Sequence, residues 1–178
     1  MDIFSARIKW LRQNKGFTQA QIADFIGMST PGYTKIEQGQ REPNLETLTR
    51  FPIILEESLD FMLGITDFDN KALQFLLYFK SVEERLWGLQ FEIDHSLRVL
   101  NNEFPNIPKE TVQEYITGPS LELVKLKPEY DRSLNQLISY YKTIPLIKIT
   151  EEQDMIEYFK NISEADTYTA IKVKNTSN

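Results

Sequence analysis

The sequence predicts an all-α protein, or nearly so, on three observations. Apolar residues recur every three or four positions through the first 66 residues, and a polar cap or a glycine punctuates each run. A longer stripe then steps from Val82 to Phe104 at helical spacing. Strand-like alternation is weak and confined to residues 144–149 and 167–173.

The first 66 residues read as five helices. Ile3, Ile8 and Leu11 form one apolar edge of the first, widened by Phe4 and Trp10, with Arg7, Lys9 and Arg12 between them, and Gly16 stops it. Thr18-Gln19-Ala20-Gln21 fits a capping box: Thr18 caps the second helix and Gln21 reaches back. Ile22, Phe25 and Ile26 supply its buried side, and Gly27 ends it. Ser29 caps a third helix, from which Tyr33 and Ile36 face inward, and Gly39 closes it. Asn44 caps a fourth carrying Leu45, Leu48 and Phe51. Pro52 removes a backbone donor within that run, so a break or restart is expected near Phe51. Ser58 caps a short fifth helix with Leu59, Met62 and Leu63, ended by Gly64.

The short polar stretch Thr66-Asp67-Phe68-Asp69-Asn70 reads as a junction between a domain at 1–66 and a second, mainly helical one at 70–178. Leu73, Leu76, Leu77 and Phe79 predict a helix beginning near Asn70. Ser81-Val82-Glu83-Glu84 reads as a fresh capping box opening a long helix near 81–103, with Glu83 and Glu84 favouring its dipole. Its stripe, Val82, Leu86, Leu89, Ile93, Leu97, Leu100 and Phe104, steps by 4, 3, 4, 4, 3, 4, an 11-residue repeat of about 3.67 residues per turn. Such a stripe serves either as a dimer contact or as the spine of the domain's own core, and Leu86, Leu89, Ile93, Leu97 and Leu100 are the candidate dimerisation residues. Further helices are expected over 108–117, 129–143 and 151–163, with Pro128 in a first turn and Thr150-Glu151-Glu152-Gln153 as another capping box. Residues 121–126 fit a short helix or a strand, and the last five residues are expected to fray.

Composition narrows the function classes. The chain has 178 residues, with 20 Lys and Arg against 26 Asp and Glu, a formal net charge of −6. That argues against coating nucleic acid by bulk charge. Cysteine is absent and His95 is the one histidine, which removes thiol chemistry and His-based clusters. No phosphate-loop glycine pattern is present, no cofactor is implied, and an enzyme is not expected. No stretch approaches 18 apolar residues and the first ten residues lack a signal-peptide core, so a cytoplasmic protein without a membrane partner is expected. The first 41 residues run against the acidic average, with six basic and three acidic residues. A confined basic end on an acidic chain is the footprint of an anion-binding face.

The second and third helices are separated by only Gly27-Met28-Ser29, which is helix-turn-helix spacing. The second helix of such a pair fits the major groove of DNA, and amides at the preceding helix N-terminus meet phosphate. The run Arg12, Gly16-Phe17-Thr18-Gln19, Ile22-Ala23, Gly27-Met28-Ser29, Tyr33, Ile36-Glu37-Gln38-Gly39, Arg41, Pro43, Leu48 and Ser58 to Gly64 resembles the Cro/C1-type, or Xre-like, helix-turn-helix family over residues 1–66. The resemblance implies a five-helix DNA-binding domain of a bacterial or phage transcription regulator, working as a dimer on a palindromic operator.

The resemblance also implies roles at matching positions. Thr18 and Gln19 fall at the phosphate-contacting start of the second helix. Thr30, Pro31, Thr34 and Lys35 match groove-facing positions of the recognition helix. Arg41 matches a basic residue that touches backbone or the minor groove, and Arg12 and Glu37 match a structural salt bridge. The sequence departs from the family pattern at Pro31-Gly32. Proline is tolerated in a first turn. Gly32 costs the helix about 1 kcal/mol relative to Ala and would let backbone approach DNA closely. Direct readout is left to Lys35, which can pair with guanine, and to the methyls of Thr30 and Thr34. So thin a set gives weight to DNA shape and to dimer spacing.

Two function classes follow. The first is a sequence-specific repressor, dimerised by its C-terminal domain and open to an antirepressor or inducer there. The alternative is an antitoxin-like interaction protein, whose acidic C-terminal part covers a basic toxin while the N-terminal part autoregulates its operon.

Overall fold

A computed structural model describes residues 2–99 and 106–162, and among them it contains helices and loops but no strand. The helices are α1 Ile3–Asn14, α2 Gln19–Ile26, α3 Thr30–Glu37, α4 Leu45–Leu48, α5 Phe51–Leu55, α6 Leu59–Met62, α7 Asn70–Arg98, α8 Lys109–Tyr141 and α9 Glu152–Asn161. They fall into two compact units. One joins the residues up to 73 with those from 138 onward; the other comprises residues 74–137.

Local capping explains where the short helices begin. Asp2 accepts from the Ser5 amide at 2.7 Å, Asn44 from Thr47 at 2.8 Å and Ser58 from Phe61 at 3.1 Å. The Thr18–Gln21 box is complete in both directions, the Gln21 amide donating to Thr18 Oγ1 at 3.2 Å and the Thr18 amide to Gln21 Oε1 at 2.8 Å. Each such cap is worth about 1 kcal/mol. Gly27 sits at φ 76°, left-handed backbone that turns the chain out of α2 and into α3. The fourth predicted helix does break, at Thr49-Arg50, and Pro52 then lies in the first turn of α5, where its missing N–H removes no bond.

In the first unit Ile8, Ile22, Tyr33, Ile36, Phe51 and Phe61 are fully buried. Arg7 is buried with them, so it is not part of a basic surface despite its place in the basic N-terminal stretch. Its Nη1 donates to the carbonyls of Phe61 at 2.7 Å and Thr66 at 2.6 Å. Its Nη2 pairs with Asp67 Oδ1, its Nε donates to Pro145 O at 3.4 Å, and its guanidinium lies 4.5 Å over the Phe61 ring.

The stretch read as a polar junction is also buried. Asp67, Phe68 and Asp69 are each less than 8% exposed. Asp67 Oδ2 accepts the Lys148 amide at 3.0 Å and the Tyr141 hydroxyl at 3.4 Å. Asp69 accepts from Tyr140 at 2.5 Å and from the Ala72 amide at 2.7 Å, where it caps the start of α7. Phe68 packs its ring against Tyr141 and Phe159, at 5.6 and 6.0 Å between centroids. Residues 138–162 therefore belong to the same core as α1–α6.

The second unit is an antiparallel pair built from α7 and α8. Tyr78 donates to Glu129 at 2.7 Å, and Arg85 donates to Glu122 at 3.2 Å, seven residues further along α7 and seven back along α8. Phe79, Val82, Leu126, Leu134 and Leu137 are buried, and the Phe79 and Tyr130 rings lie 5.2 Å apart.

Several expectations here need correction. The helix from Asn70 does not restart at Ser81, whose hydroxyl donates back to Tyr78 O at 2.8 Å inside continuous α7. Glu83 consequently pairs with Lys80 at 2.9 Å instead of opening a helix. The helices expected over 108–117 and 129–143 are one, α8, which takes in residues 121–126 and runs through Pro119 and Pro128. An internal proline costs about 3 kcal/mol, but Val112, Leu126 and Leu137 keep one buried face in phase across both. Packing decides over local punctuation. Residues 144–149 form turns, not a strand, and α9 begins beside Glu151 with no side-chain cap, so the box at Thr150 does not form. Residues 167–173 and the chain end lie outside the described residues.

Replacing Arg7 with alanine strands a buried carboxylate and three carbonyls. A loss of about 3–5 kcal/mol is expected, read by urea unfolding, whereas Glu46→Ala on the surface pair with Arg50 should change stability by about 1 kcal/mol or less.

Candidate nucleic-acid interface

The α2–α3 pair is held from beneath by one carboxylate. Glu37, at the end of α3, is 2% exposed. Arg12 of α1 donates to it twice, Nε to Oε1 at 2.5 Å and Nη2 to Oε2 at 3.1 Å. Tyr33 donates its hydroxyl to Oε1 at 2.6 Å, and Gln19 donates Nε2 to Oε2 at 2.7 Å. Arg12 Nη1 also donates to Phe17 O at 2.8 Å, which ties down the loop between α1 and α2.

The electrostatics follow from this crowding. Burial alone would raise the Glu37 pKa, but the bonds from Arg12, Tyr33 and Gln19 outweigh it and hold the carboxyl below its ordinary value. The bond to Glu37 raises Arg12 in turn, despite its burial. Burial, then the Glu37 charge, drives the Tyr33 phenol far above its usual range.

This arrangement sets how the outer residues are presented. Gln19 is half-buried, with its amide nitrogen on Glu37 and its Oε1 accepting from Thr34 Oγ1 at 3.0 Å. The Thr34 hydroxyl also lies 2.9 Å from Thr30 O, so its polar atom is committed inside the domain and its methyl is what remains to contact a ligand. Thr18, Thr30, Pro31, Lys35 and Arg41 are exposed. Among the described residues, no hydrogen bond or ion pair engages the Lys35 ammonium or the Arg41 guanidinium. Two uncommitted cations thus stand at α3.

Gly32 corrects one expectation. It is buried, so it does not bring backbone to the surface. A Cβ there would stand 3.1 Å from the capping Ser29 hydroxyl and 3.7 Å from Arg41 Nη1. The glycine leaves room for the α3 cap; the arginine would stand at ordinary contact distance.

Sequence reasoning missed Arg50. Its Nη1 donates to Ile26 O at 3.0 Å, closing the C-terminus of α2, and its Nη2 pairs with Glu46 at 2.7 Å. A cation at a helix C-terminus is favourable, but this one arrives from 24 residues away, where no local pattern reveals it. The proposed dimer stripe is divided. Leu86, Leu89 and Ile93 are half-buried on the face that carries Val82, Leu97 is 43% exposed, and Leu100 lies outside the described residues.

A short capped helix pair with an exposed second helix, held from beneath by α1, is a helix-turn-helix domain. Residues 8–62 match the family described as Helix-turn-helix. Over 61 residues the chain is 46% identical to the SPbeta prophage-derived uncharacterized HTH-type transcriptional regulator YonR of Bacillus subtilis (strain 168), covering 34% of this chain and 56% of that protein. It is 43% identical over 61 residues to the uncharacterized HTH-type transcriptional regulator YqaE of the same strain, covering 34% and 53%. It is 36% identical over 67 residues to the cryptic phage CTXphi transcriptional repressor RstR of Vibrio cholerae serotype O1 (strain ATCC 39315 / El Tor Inaba N16961), covering 38% and 59%. The matched segment spans little more than half the length of these relatives. Among the described residues, no helix is long and apolar enough to cross a membrane.

Because Glu37 has a lowered pKa in the folded chain, its contribution to stability is present above about pH 4.5 and is lost as the pH falls through the folded value. Melting curves between pH 7 and 3 should therefore show a drop in acid to which Glu37 contributes. Glu37→Gln, already destabilised at pH 7, should show a shallower one.

Proposed function

We propose that this protein is a sequence-specific DNA-binding transcription regulator, a repressor of the phage or mobile-element type that binds a palindromic operator as a dimer. Residues 1–66 read one half-site, and residues 70–178 serve dimerisation and receive an antirepressor or inducer protein. The observation that carries this reading is the contrast between the two sides of α3. Its inner side is locked by Arg12, Tyr33, Gln19 and Glu37, while Lys35 and Arg41 have no hydrogen-bond or ion-pair partner among the described residues. The similarity to a prophage-derived regulator and to a phage repressor supports it.

In this reading the first turn of α2, with Thr18 and Gln19, meets a phosphate through its free amides. The methyls of Thr30 and Thr34 offer apolar contact to thymine methyls, Pro31 lies beside them at the groove-facing surface, and Lys35 pairs with guanine O6 or N7. Arg41 adds a charge to the DNA backbone.

The test is selection of binding sites from random duplex DNA with the full-length protein at about 150 mM salt, where unspecific contacts are weakened. An enriched pseudo-palindrome with half-site centres about 34 Å apart is expected. Failure to enrich any sequence would overturn the reading. On the selected site, Lys35→Ala should cost about 1–3 kcal/mol and relax preference at one base pair per half-site. Arg41→Ala should weaken all sequences alike and reduce the salt slope by about one.

A further inference from the structure

The outer face of α7, turned away from α8, carries two large exposed aromatic residues. Trp87 is 69% exposed and Phe91 is 72% exposed. They stand one turn apart, and the Phe91 ring stacks on His95 a turn further on, at 6.3 Å between centroids. Gly88 lies on the same face, and a Cβ there would meet nothing within 4 Å among the described residues. Glu84 completes the row one turn before Gly88 and is exposed. The face toward α8 is already used by Val82, Leu86, Leu89 and Ile93. An antiparallel helix pair has one shared interface, and its outer sides are ordinarily polar.

We infer that this outer face of α7 is the surface through which two copies of the chain pair, antiparallel, across a two-fold axis between Leu89 and Gln90. The argument is the symmetry of the row. Gly88 and Phe91 are centred between residues 89 and 90, and so are Glu84 and His95. In an antiparallel self-pairing about that point, each Phe91 ring faces the partner copy's glycine, and each Glu84 carboxylate faces the partner copy's imidazole. Knob meets seat and acceptor meets donor, twice, which is the self-complementarity that a two-fold interface requires. Trp87 borders the seat and widens the apolar contact. The pairing surface is thus the exposed row, not the half-buried stripe Leu86, Leu89 and Ile93. This inference deepens the dimer reading above and rests on it for its role in operator binding, but self-association is measured without DNA.

The experiment is sedimentation equilibrium of the full-length chain and its variants at micromolar concentration, with helix content followed by circular dichroism. The wild-type chain is expected to be dimeric, and Phe91→Glu monomeric with unchanged helicity. Gly88→Leu is the sharper test. Leucine favours a helix over glycine, and a Cβ at this position meets nothing within 4 Å among the described residues, so a weakened dimer reports a partner in that seat. A dissociation constant at least tenfold weaker is expected. E84K should weaken the dimer, and E84K/H95E should restore it. A monomeric wild-type chain, or a dimer indifferent to both Phe91→Glu and Gly88→Leu, would overturn the inference. A dimer that responds to these variants but selects no DNA sequence would leave the pairing surface standing and remove the operator-reading function.

Discussion

The buried pairing of Arg7 with Asp67 is the constraint around which the first unit is organised. A guanidinium with no exposed surface must have donors satisfied in several directions at once. Arg7 meets that need with carbonyls from the end of α6 and the following loop, a carboxylate at residue 67 and a carbonyl at residue 145. Asp67 must in turn be satisfied, and it takes the Lys148 amide and the Tyr141 hydroxyl. One charge pair in α1 therefore sets where the chain after α6 turns and where the chain after α8 passes. The aromatic cluster of Phe68, Tyr141 and Phe159 fills the space around it.

The same logic operates at smaller scale beneath α3. Glu37 collects Arg12, Tyr33 and Gln19, so the end of α3 is clamped to α1 and to the start of α2. These bonds fix the positions of α1, α2 and α3 relative to one another. The polar groups that do this are occupied, and those that remain are the ones on the outer surface. Gly32 serves the same end, since a Cβ there would stand 3.1 Å from the Ser29 hydroxyl that caps α3.

What was legible in the sequence was local. Thr18, Ser29, Asn44 and Ser58 cap helices within their own four-residue windows, and Gly27 and Pro52 act where they stand. The Cro/C1-type signature was legible for the same reason, since its residues follow one another along one short stretch. The role of Arg7 was not, because its acceptors lie 54 to 138 residues away and it sits in the sequence like any amphipathic-helix cation. Arg50 was hidden similarly. The errors around Ser81, Pro128 and Thr150 have the opposite cause. Each is genuine local punctuation that a continuous buried face, or the lack of one, overrides. The groove-facing assignments of Thr30, Pro31, Thr34 and Lys35 came from family resemblance, and the burial pattern adds which atoms each one still has to offer.

The path of the chain has a consequence for synthesis. Arg7 emerges early from the ribosome, but the carbonyl of Pro145 and the amide of Lys148 that complete its network come 138 or more residues later. At about 5–20 residues per second, that is a wait of roughly 7–28 s. During it, a nascent helix-turn-helix domain carries an arginine and an aspartate whose final partners do not yet exist. The core of the first unit would then close only after residues 74–137 have been made.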